Sequence, residues 1–320
     1  MTTRREFIRR LVLTPAVLAW VTQVAGKDES VSRVRFGLIT DVHQDVMPDG
    51  VARVSAFVKA MEKAKADFIV QLGDFCQPKP SNKEFLEAFH AFRGPHHHVL
   101  GNHDMDGGYK REQTVAFYGM TATHYAFDAG PVRFLVLDCN EPGGKAGGYK
   151  RFIGAEQLAW LEYELGSSRR PLVIFTHQPL DSNGIENAAA VRAILERYDG
   201  KIVAVFSGHS HQDYELLING VRYIQINSAS YVWLPGAAAR ETFPPEVHKA
   251  HPSLRNVAAY RDPLWALVTI DFSKSELLLV GRRSEWVGPD PWQRGAPAKD
   301  YPRDKNRPRI SDRHAKLPIS

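Results

Sequence analysis

Cysteine is almost absent from this chain, which has only Cys76 and Cys139 among its 320 residues. Two cysteines exclude a disulfide scaffold and a zinc site built from thiolates. Both follow predicted strands, so a single bridge between them is open in an oxidising compartment. The favoured interpretation is that both are buried thiols that act as small apolar side chains.

A long apolar segment is also lacking. Residues 11–21 are apolar but are interrupted by Thr14 and Pro15, and the stretch is too short to span a bilayer as a helix. It follows Thr3-Arg4-Arg5-Glu6-Phe7-Ile8-Arg9 and precedes the small residues Val24-Ala25-Gly26. This order is typical of an export signal, and the paired arginines resemble a twin-arginine (Tat) signal. The alternative is an amphipathic helix on the folded domain.

The Tat interpretation sets the domain boundaries. We expect residues 1–26 to be a cleaved signal peptide, recognised by the Tat export machinery, and 27–283 to form the folded domain. Residues 284–320 are rich in proline and basic, which predicts a wrapped or disordered C-terminal extension. The mature protein is then expected to be periplasmic or otherwise extracytoplasmic.

The folded domain lacks an excess of positive charge. The whole chain has a formal charge of +5, but residues 1–26 carry four arginines and one glutamate. Residues 282–320 carry ten basic and five acidic residues, so 27–281 are net negative. Because the basic residues lie at the two ends, the sequence argues against nucleic acid as the default partner.

What the sequence does have is five short polar clusters, each directly after an apolar, β-branched run. They are Asp41-Val42-His43, Gly73-Asp74, Gly101-Asn102-His103-Asp104, Thr176-His177 and Gly208-His209-Ser210-His211. The preceding runs are typical of buried strands, and open α/β sheets bind ligands beyond the carboxyl ends of their strands. Asp, His and Asn side chains therefore meet at one rim, and these side chains suit divalent metals.

The order of the five clusters resembles the calcineurin-like metallophosphoesterase superfamily, over about 36–211. The resemblance implies an α/β fold in which two sheets form a β-sandwich flanked by helices, in α-β-β-α layers. The residue pattern agrees: strands are predicted at 34–40, 68–72 and 97–100, with amphipathic helices at 51–65 and 83–92 between them.

The second half of the chain continues this alternation. Helices are predicted at 155–165 and 188–198, before strands at 172–175 and 202–206, and Asn219-Gly220 predicts a hairpin. Residues 231–263 show no clear periodicity and form a predicted irregular insertion. Such an insertion is either a functional lid or binding loop, whose aromatic residues could stack on a base, or a poorly ordered surface loop.

The resemblance also implies a site with two divalent metal ions, for which Mn, Fe and Zn are all acceptable. Asp74 would bridge the ions. The first ion would take Asp41, His43 and His211, and the second Asn102, His177 and His209. The bridged ions would lower the pKa of a shared water, giving hydroxide that attacks phosphorus. His103 is the candidate proton donor to the leaving oxygen, and Asp104 would orient His103 or its loop.

The remaining histidines are not expected to be ligands. Alternation along a strand points neighbouring side chains of His96-His97-His98 to opposite faces. Isolated histidines such as His90 and His124 are more often surface or hydrogen-bonded residues than ligands. A serine hydrolase is disfavoured because no Gly-x-Ser-x-Gly elbow is present.

The sequence therefore predicts an exported phosphoesterase with a dinuclear metal site. Its substrate would be a small phosphodiester or phosphomonoester, nucleotide-like in the favoured case. Two alternatives stay open: a metal-containing protein that binds or senses a phosphorylated ligand, and a pyrophosphatase of the nucleotide-sugar type. The sequence does not indicate an oligomeric state.

Overall fold

A computed structural model of the chain describes residues 32–145, 147–181 and 184–318. The predicted signal peptide, 1–26, lies outside the described residues. The strands are β1 (Arg33–Ile39), β2 (Phe68–Gln71), β3 (His96–His98), β4 (Tyr125–Ala129), β5 (Val132–Val136), β6 (Leu172–Phe175), β7 (Ile202–Ser207), β8 (Tyr214–Ile218), β9 (Val221–Gln225), β10 (Tyr231–Trp233), β11 (Val257–Ala259), β12 (Ala266–Asp271), β13 (Glu276–Val280) and β14 (Arg313–Lys316). The helices are α1 (Gly50–Lys63), α2 (Lys83–His90), α3 (Arg111–Tyr118), α4 (Ala155–Ser167), α5 (Ala188–Leu195) and α6 (Pro245–Ala250).

Two six-stranded sheets organise these elements. The first has the order β14-β13-β12-β1-β2-β3, with β1, β2 and β3 parallel and β12 antiparallel to β1. The second has the order β4-β5-β6-β7-β9-β8, with a parallel centre and antiparallel edge strands. The strands that precede the polar clusters, apart from edge strand β3, therefore lie inside a sheet.

The two sheets pack face to face around a cluster of phenylalanines. Phe36 of β1 stacks on Phe68, with ring centroids 5.0 Å apart, and meets Phe134 of the other sheet edge-on at 5.5 Å. Helices α1 and α2 cover the outer face of the first sheet, and α4 and α5 that of the second. The predicted α-β-β-α sandwich is confirmed, because each sheet buries one face against its partner and the other against helices.

The segment 231–263 is ordered, which corrects the prediction that it is irregular. It forms the antiparallel pair β10–β11, with Tyr231 opposite Ala259, and also contains α6. Its own small core includes Met47, Tyr231 and Leu254. The sequence pattern missed these elements because each is short: three residues for each strand and six for the helix.

The C-terminal residues wrap around the domain. Strand β14 pairs with β13 at the edge of the first sheet, and Ile310 and Leu317 join the core between the sheets. The carboxylate of Asp213 holds this segment through Arg313 Nη2 at 2.5 Å and Ser311 Oγ at 2.6 Å. The segment 284–318 thus packs directly onto the structure that carries the polar clusters.

Two further observations bear on the composition. Cys76 and Cys139 are both buried and unpaired, as the favoured interpretation expects. Within the described ranges, no helix combines the length and apolar character needed to cross a membrane.

Candidate metal centre

The polar clusters meet at the rim where β1, β2, β6 and β7 end. Backbone hydrogen bonds join the loops to one another: Asp41 N donates to Gly73 O at 3.0 Å, and His43 N donates to Asp74 O at 3.0 Å. Gly208 N donates in the same way to His177 O at 3.0 Å. The relative positions of the clusters are therefore fixed by the main chain before any side chain contributes.

Five of the seven predicted metal ligands have a left-handed backbone. The φ angles are 51° for Asp41, 51° for His43, 50° for Asp74, 74° for His209 and 51° for His211. Residues other than glycine rarely adopt this conformation, and strained backbone of this kind concentrates at functional sites. The turns thus direct carboxylates and imidazoles inward at a conformational cost that an ordinary loop does not carry.

Two glycines allow the clusters to come this close. A side chain at Gly73, which has φ of 99°, would collide with the imidazole of His177. A side chain at Gly101 would collide with the backbone N and the carboxylate of Asp74. Glycine is required at both positions because another loop occupies the space that a Cβ would need.

The first group of donors is formed by Asp41, His43 and His211, all buried. The Nε2 atoms of the two histidines lie 3.2 Å apart, and Asp41 Oδ1 lies 3.2 Å from His211 Nε2. His211 Nδ1 donates to the carbonyl of Tyr231 at 2.7 Å, which leaves the Nε2 lone pair directed at the group. The other oxygen of Asp41 accepts hydrogen bonds from Thr40 Oγ1 at 2.6 Å and His209 N at 3.0 Å.

The second group is formed by Asp74, His177 and His209. Asp74 Oδ2 lies 3.1 Å from His177 Nε2 and 3.7 Å from His43 Nε2, so this carboxylate stands between the two groups. His177 Nδ1 donates to the carbonyl of Leu72 at 2.8 Å and leaves Nε2 free for a ligand. His209 Nδ1 lies 3.3 Å from His177 Nε2.

These donors fit two divalent cations. The inward-facing Nε2 of His211 meets the Nε2 of His43 across 3.2 Å, a spacing that a shared cation would stabilise. The side-chain oxygen of Asn102 is buried without a hydrogen-bond partner among the described residues, which marks it as an available donor. A mixture of imidazoles, carboxylates and one amide oxygen suits Mn, Fe and Zn alike.

His103 stands beside these groups and is held by a residue that the sequence interpretation missed. His103 Nδ1 makes a hydrogen bond of 2.6 Å with Asp106 Oδ2, and Tyr149 Oη donates to Asp106 Oδ1 at 2.9 Å. Tyr149 Oη also lies 3.1 Å from His103 Nδ1. Asp106 follows His103 by only three residues, and this short separation in the chain could have indicated the pair.

The surroundings of His103 favour its protonated form. Burial alone would lower its pKa, but the hydrogen bond to Asp106 and the charges of Asp74 and Asp106 raise the pKa above the usual histidine value. The backbone N–H of His103 donates to Asp74 Oδ1 at 2.7 Å, which fixes the ring next to the candidate bridging carboxylate. A protonated imidazole at this position can donate a proton to a leaving oxygen.

Asp104 makes its hydrogen bonds to the loops of the site. Its Oδ1 accepts a hydrogen bond from Phe75 N at 2.6 Å, and its Oδ2 accepts one from Gly101 N at 2.8 Å. Burial, followed by the charge of Asp74, raises the pKa of Asp104 to about 8. Asp104 thus braces two loops against each other, and of the two roles that the sequence allowed, it has the one toward the loop.

Strand β10 adds aromatic side chains to the site. The sequence analysis had located them only as part of the segment 231–263. Tyr231 stacks on His43 with ring centroids 5.1 Å apart. Trp233 lies 6.1 Å from the ring of His103 at an angle of 28°. A cavity of about 210 Å³ opens here, lined by Val46, Asp74, Gln77, His103, Asp106 and Trp233.

The histidines that were not expected to be ligands lie away from this rim. His97 stacks on Phe127 with ring centroids 3.5 Å apart, and His124 packs against Trp160. His90, His96 and His98 are near one another on the outer side of the first sheet, in a group of their own.

Comparison with known families now decides the class of protein. The family model described as calcineurin-like phosphoesterase matches residues 34–213, which include all the polar clusters. The chain belongs to the calcineurin-like phosphoesterase family. Members of this family carry a dinuclear metal site, and this chain is a metal-dependent phosphoester hydrolase.

Two curated relatives of this phosphoesterase come from plants. A protein of Oryza sativa subsp. japonica named manganese-dependent ADP-ribose/CDP-alcohol diphosphatase is 26% identical over 55% of this chain and 77% of its own length. A protein of the same name from Arabidopsis thaliana is 25% identical over 61% of this chain and 85% of its own length.

Solved structures share the fold of the phosphoesterase at low identity. A dimetal phosphatase from Danio rerio aligns with a TM-score of 0.56 and 16% identity, over 79% of this chain and 98% of the other. GAP50, the anchor in the inner membrane complex of Plasmodium, aligns with a TM-score of 0.53 and 13% identity, over 90% of both chains. These similarities concern the fold alone.

Proposed function

We propose that this phosphoesterase is a manganese-dependent diphosphatase that hydrolyses the diphosphate bridge of a nucleoside diphosphate linked to a second group. The names of the two plant relatives support this substrate class and this metal. The sequence predicted a small phosphoester as the substrate and left a pyrophosphatase open as an alternative. The proposal selects this alternative.

The observation that carries the proposal is that cavities open on two sides of the donor groups. One is the cavity beside Trp233 and His103. The other, of about 390 Å³, is lined by Asn102, Arg111, Tyr149 and Lys150, among others. A phosphomonoester has one organic substituent and would use one cavity, whereas a phosphodiester or a diphosphate between two groups would use both. The names of the plant relatives favour the diphosphate.

Charge differs between the two sides in the way that such a substrate needs. Lys150 is exposed and has no ion-pair partner in the part of the chain that the structure describes, so its ammonium group is available to a second phosphate. Arg111 lies nearby but is held by Asp138, with Nη1 and Oδ2 2.6 Å apart. In the first cavity, the indole of Trp233 offers a flat surface on which a base can stack.

We assign the donors of the metal centre as the sequence predicted them. Asp41, His43 and His211 would hold one ion, Asn102, His177 and His209 the other, and Asp74 both. When bound, two such ions neutralise phosphate charge and supply an activated water for attack on phosphorus. The hydrogen bonds of His177 and His211 to backbone carbonyls fix which ring nitrogen faces the ions.

The other residues of the site act on the leaving group. His103 donates a proton to the departing phosphate oxygen, and Asp106 keeps the imidazole protonated and correctly turned. Tyr149 lines the second cavity and donates a hydrogen bond to Asp106, which helps to hold that carboxylate in place. Asp104 keeps the loop of His103 against the loop of Asp74.

The N-terminal sequence supports a location outside the cytoplasm. We propose that residues 1–26 are a Tat-type signal and that the mature enzyme is periplasmic or otherwise extracytoplasmic. The paired arginines ahead of a short apolar core support this proposal.

A substrate panel tests the proposed activity. Purified protein loaded with Mn²⁺ would be given ADP-ribose, CDP-choline, AMP and bis(p-nitrophenyl) phosphate, each with and without EDTA. We expect the highest kcat/KM for the two diphosphates, and loss of turnover in EDTA that Mn²⁺ restores. Preference for AMP or for the aryl diester would overturn the diphosphatase assignment, and tight binding of every substrate without turnover would favour a binding or sensing protein.

A further inference from the structure

Three histidines form a second cluster on the outer side of the first sheet. His90 is the last residue of α2, and His96 and His98 belong to the edge strand β3. Alternation along β3 turns His97 to the opposite face, where it packs on Phe127, and leaves its two neighbours facing α2. Alternation thus places His96 and His98 on the same face of β3, where His90 of α2 lies next to them.

The distances within this cluster are short. His90 Nε2 and His98 Nε2 lie 3.0 Å apart, and the rings of His90 and His96 stack with centroids 4.3 Å apart. One nitrogen from each of the three rings lies within 4.8 Å of the other two. His98 is buried, whereas His90 and His96 reach the surface, so the cluster is accessible from solvent.

The imidazoles are ready to act as ligands at neutral pH. Burial lowers the pKa of His90 to about 4 and also lowers the pKa values of His96 and His98. The charge of His96 adds to the lowering at His90, and the charges of His90 and His96 add to the lowering at His98. His96 Nδ1 is buried and makes no well-formed hydrogen bond within the described residues. Neutral imidazole is the form of histidine that binds metal.

We propose that His90, His96 and His98 bind a zinc ion separate from the catalytic centre. Three imidazoles without a carboxylate suit Zn²⁺, which accepts nitrogen donors in tetrahedral geometry, and disfavour Mn²⁺ and Mg²⁺, which prefer oxygen. The fourth position would be filled by water from the exposed side. The ion would tie the end of α2 to the edge strand β3.

Binding requires one local rearrangement. Gln71 Nε2 donates to His98 Nδ1 at 3.2 Å, so in the free protein the proton of this ring is on Nε2 and points at His90. Zinc at Nε2 moves that proton to Nδ1 and displaces the amide of Gln71. The oxygen of the same amide, Gln71 Oε1, accepts a hydrogen bond from Gly73 N at 2.6 Å.

The test is the number of zinc ions per chain after dialysis against buffered Zn²⁺, measured by elemental analysis. The double variant His90→Gln plus His96→Gln should bind one zinc fewer than the wild type. The matched control is His97→Gln, from the same tract but the opposite face, which should bind as many as the wild type. The result is the difference in zinc content between the variants and the wild type, so it does not depend on whether the protein is a diphosphatase.

Turnover with Mn²⁺ checks that the variants are folded, since neither His90 nor His96 belongs to the catalytic groups. If the double variant fails to fold, the two single variants replace it, each with an expected loss of zinc affinity of at least about tenfold in competition with a chromophoric chelator. Equal zinc content in the wild type and the double variant, unchanged affinity in both single variants, or an equal loss in His97→Gln would overturn the proposal.

Discussion

At the scale of single residues, His103 is the proposed proton donor. His103 touches Asp106 through Nδ1, and the nearest charged groups raise its pKa, so the ring is suited to protonate a leaving oxygen. The contribution of a positioned acid or base is about 10²–10⁴-fold in rate. The benefit depends on the leaving group, because a good leaving group departs without a proton.

We therefore predict that His103→Ala lowers kcat by about 10²–10⁴-fold for a diphosphate substrate. Asp106→Asn should have a smaller effect in the same direction, because the asparagine oxygen still accepts from Nδ1 but has no charge. Both losses should shrink for aryl diesters with acidic leaving groups. The measurement is kcat across a series of leaving groups, with Asp128→Asn on the distant β4–β5 hairpin as the control.

Equal losses for good and poor leaving groups would contradict proton donation by His103. A full rate in Asp106→Asn with every substrate would contradict the positioning role of Asp106, because the charge of this residue would then not matter.

Sequence alone located the seven candidate ligands because each follows a strand in the order typical of the family. It missed Asp106 as the partner of His103, and it left open whether Asp104 orients His103 or the loop. It also could not connect Tyr149, which lies in a glycine-rich loop 46 residues from His103. Contacts of this kind depend on how loops fold back, and no periodicity reports them.

At the scale of elements, strand β10 brings Tyr231 and Trp233 to the metal centre. Tyr231 ties this strand to its surroundings in two ways: its carbonyl accepts a hydrogen bond from His211, and it pairs with Ala259 of β11. Trp233 then forms one wall of the cavity next to His103. Under the proposed function, the segment 231–263 would therefore recognise the substrate and take no part in the chemical step.

We predict that Trp233→Ala raises KM for ADP-ribose and CDP-choline while changing kcat little. Stacking on one base contributes about 1–3 kcal/mol, which corresponds to about 5- to 150-fold in KM. Bis(p-nitrophenyl) phosphate has no base and should be affected less. The control is Trp160→Ala on α4, which removes an indole from the far side of the second sheet.

A fall in kcat with unchanged KM would contradict this role for Trp233, and so would an equal effect on substrates with and without a base.

Elements of the sandwich could be predicted because long apolar runs and helical periodicity report burial directly. The runs before Asp41, Asp74, His177 and His209 all form the expected strands. Helices α3 and α6 and strands β10, β11 and β14 were not predicted. Their formation follows from the surfaces that they cover, which a local pattern does not contain.

At the scale of the whole molecule, the N-terminal arginines concern where the enzyme works. The Tat proposal requires that the pair Arg4-Arg5 is recognised by a receptor and does not act only as a positive charge. If these arginines were only a positively charged flank of an uncleaved membrane anchor, location would depend on their charge and not on whether they are arginine or lysine.

We predict that Arg4→Lys plus Arg5→Lys leaves an active precursor in the cytoplasm, whereas the wild type is cleaved near Ala25–Gly26 and exported. The matched control is Arg9→Lys plus Arg10→Lys, which preserves charge outside the pair and should be exported. Cell fractionation with N-terminal sequencing is the measurement. Equal export of both variants, or an uncleaved mature N-terminus, would contradict the Tat proposal and leave the catalytic one unaffected.

The central claim is that Asp74 joins two metal ions in one catalytic centre. Its carboxylate lies between His43 and His177, the donors of the two groups. Low-temperature electron paramagnetic resonance of the Mn²⁺-loaded protein, recorded beside turnover, tests this most directly. We predict the spectrum of an exchange-coupled manganese pair in the wild type, and its loss together with nearly all activity in Asp74→Ala. An active wild type with only isolated manganese, or an Asp74→Ala variant that keeps the coupled pair and a near-normal rate, would contradict the account.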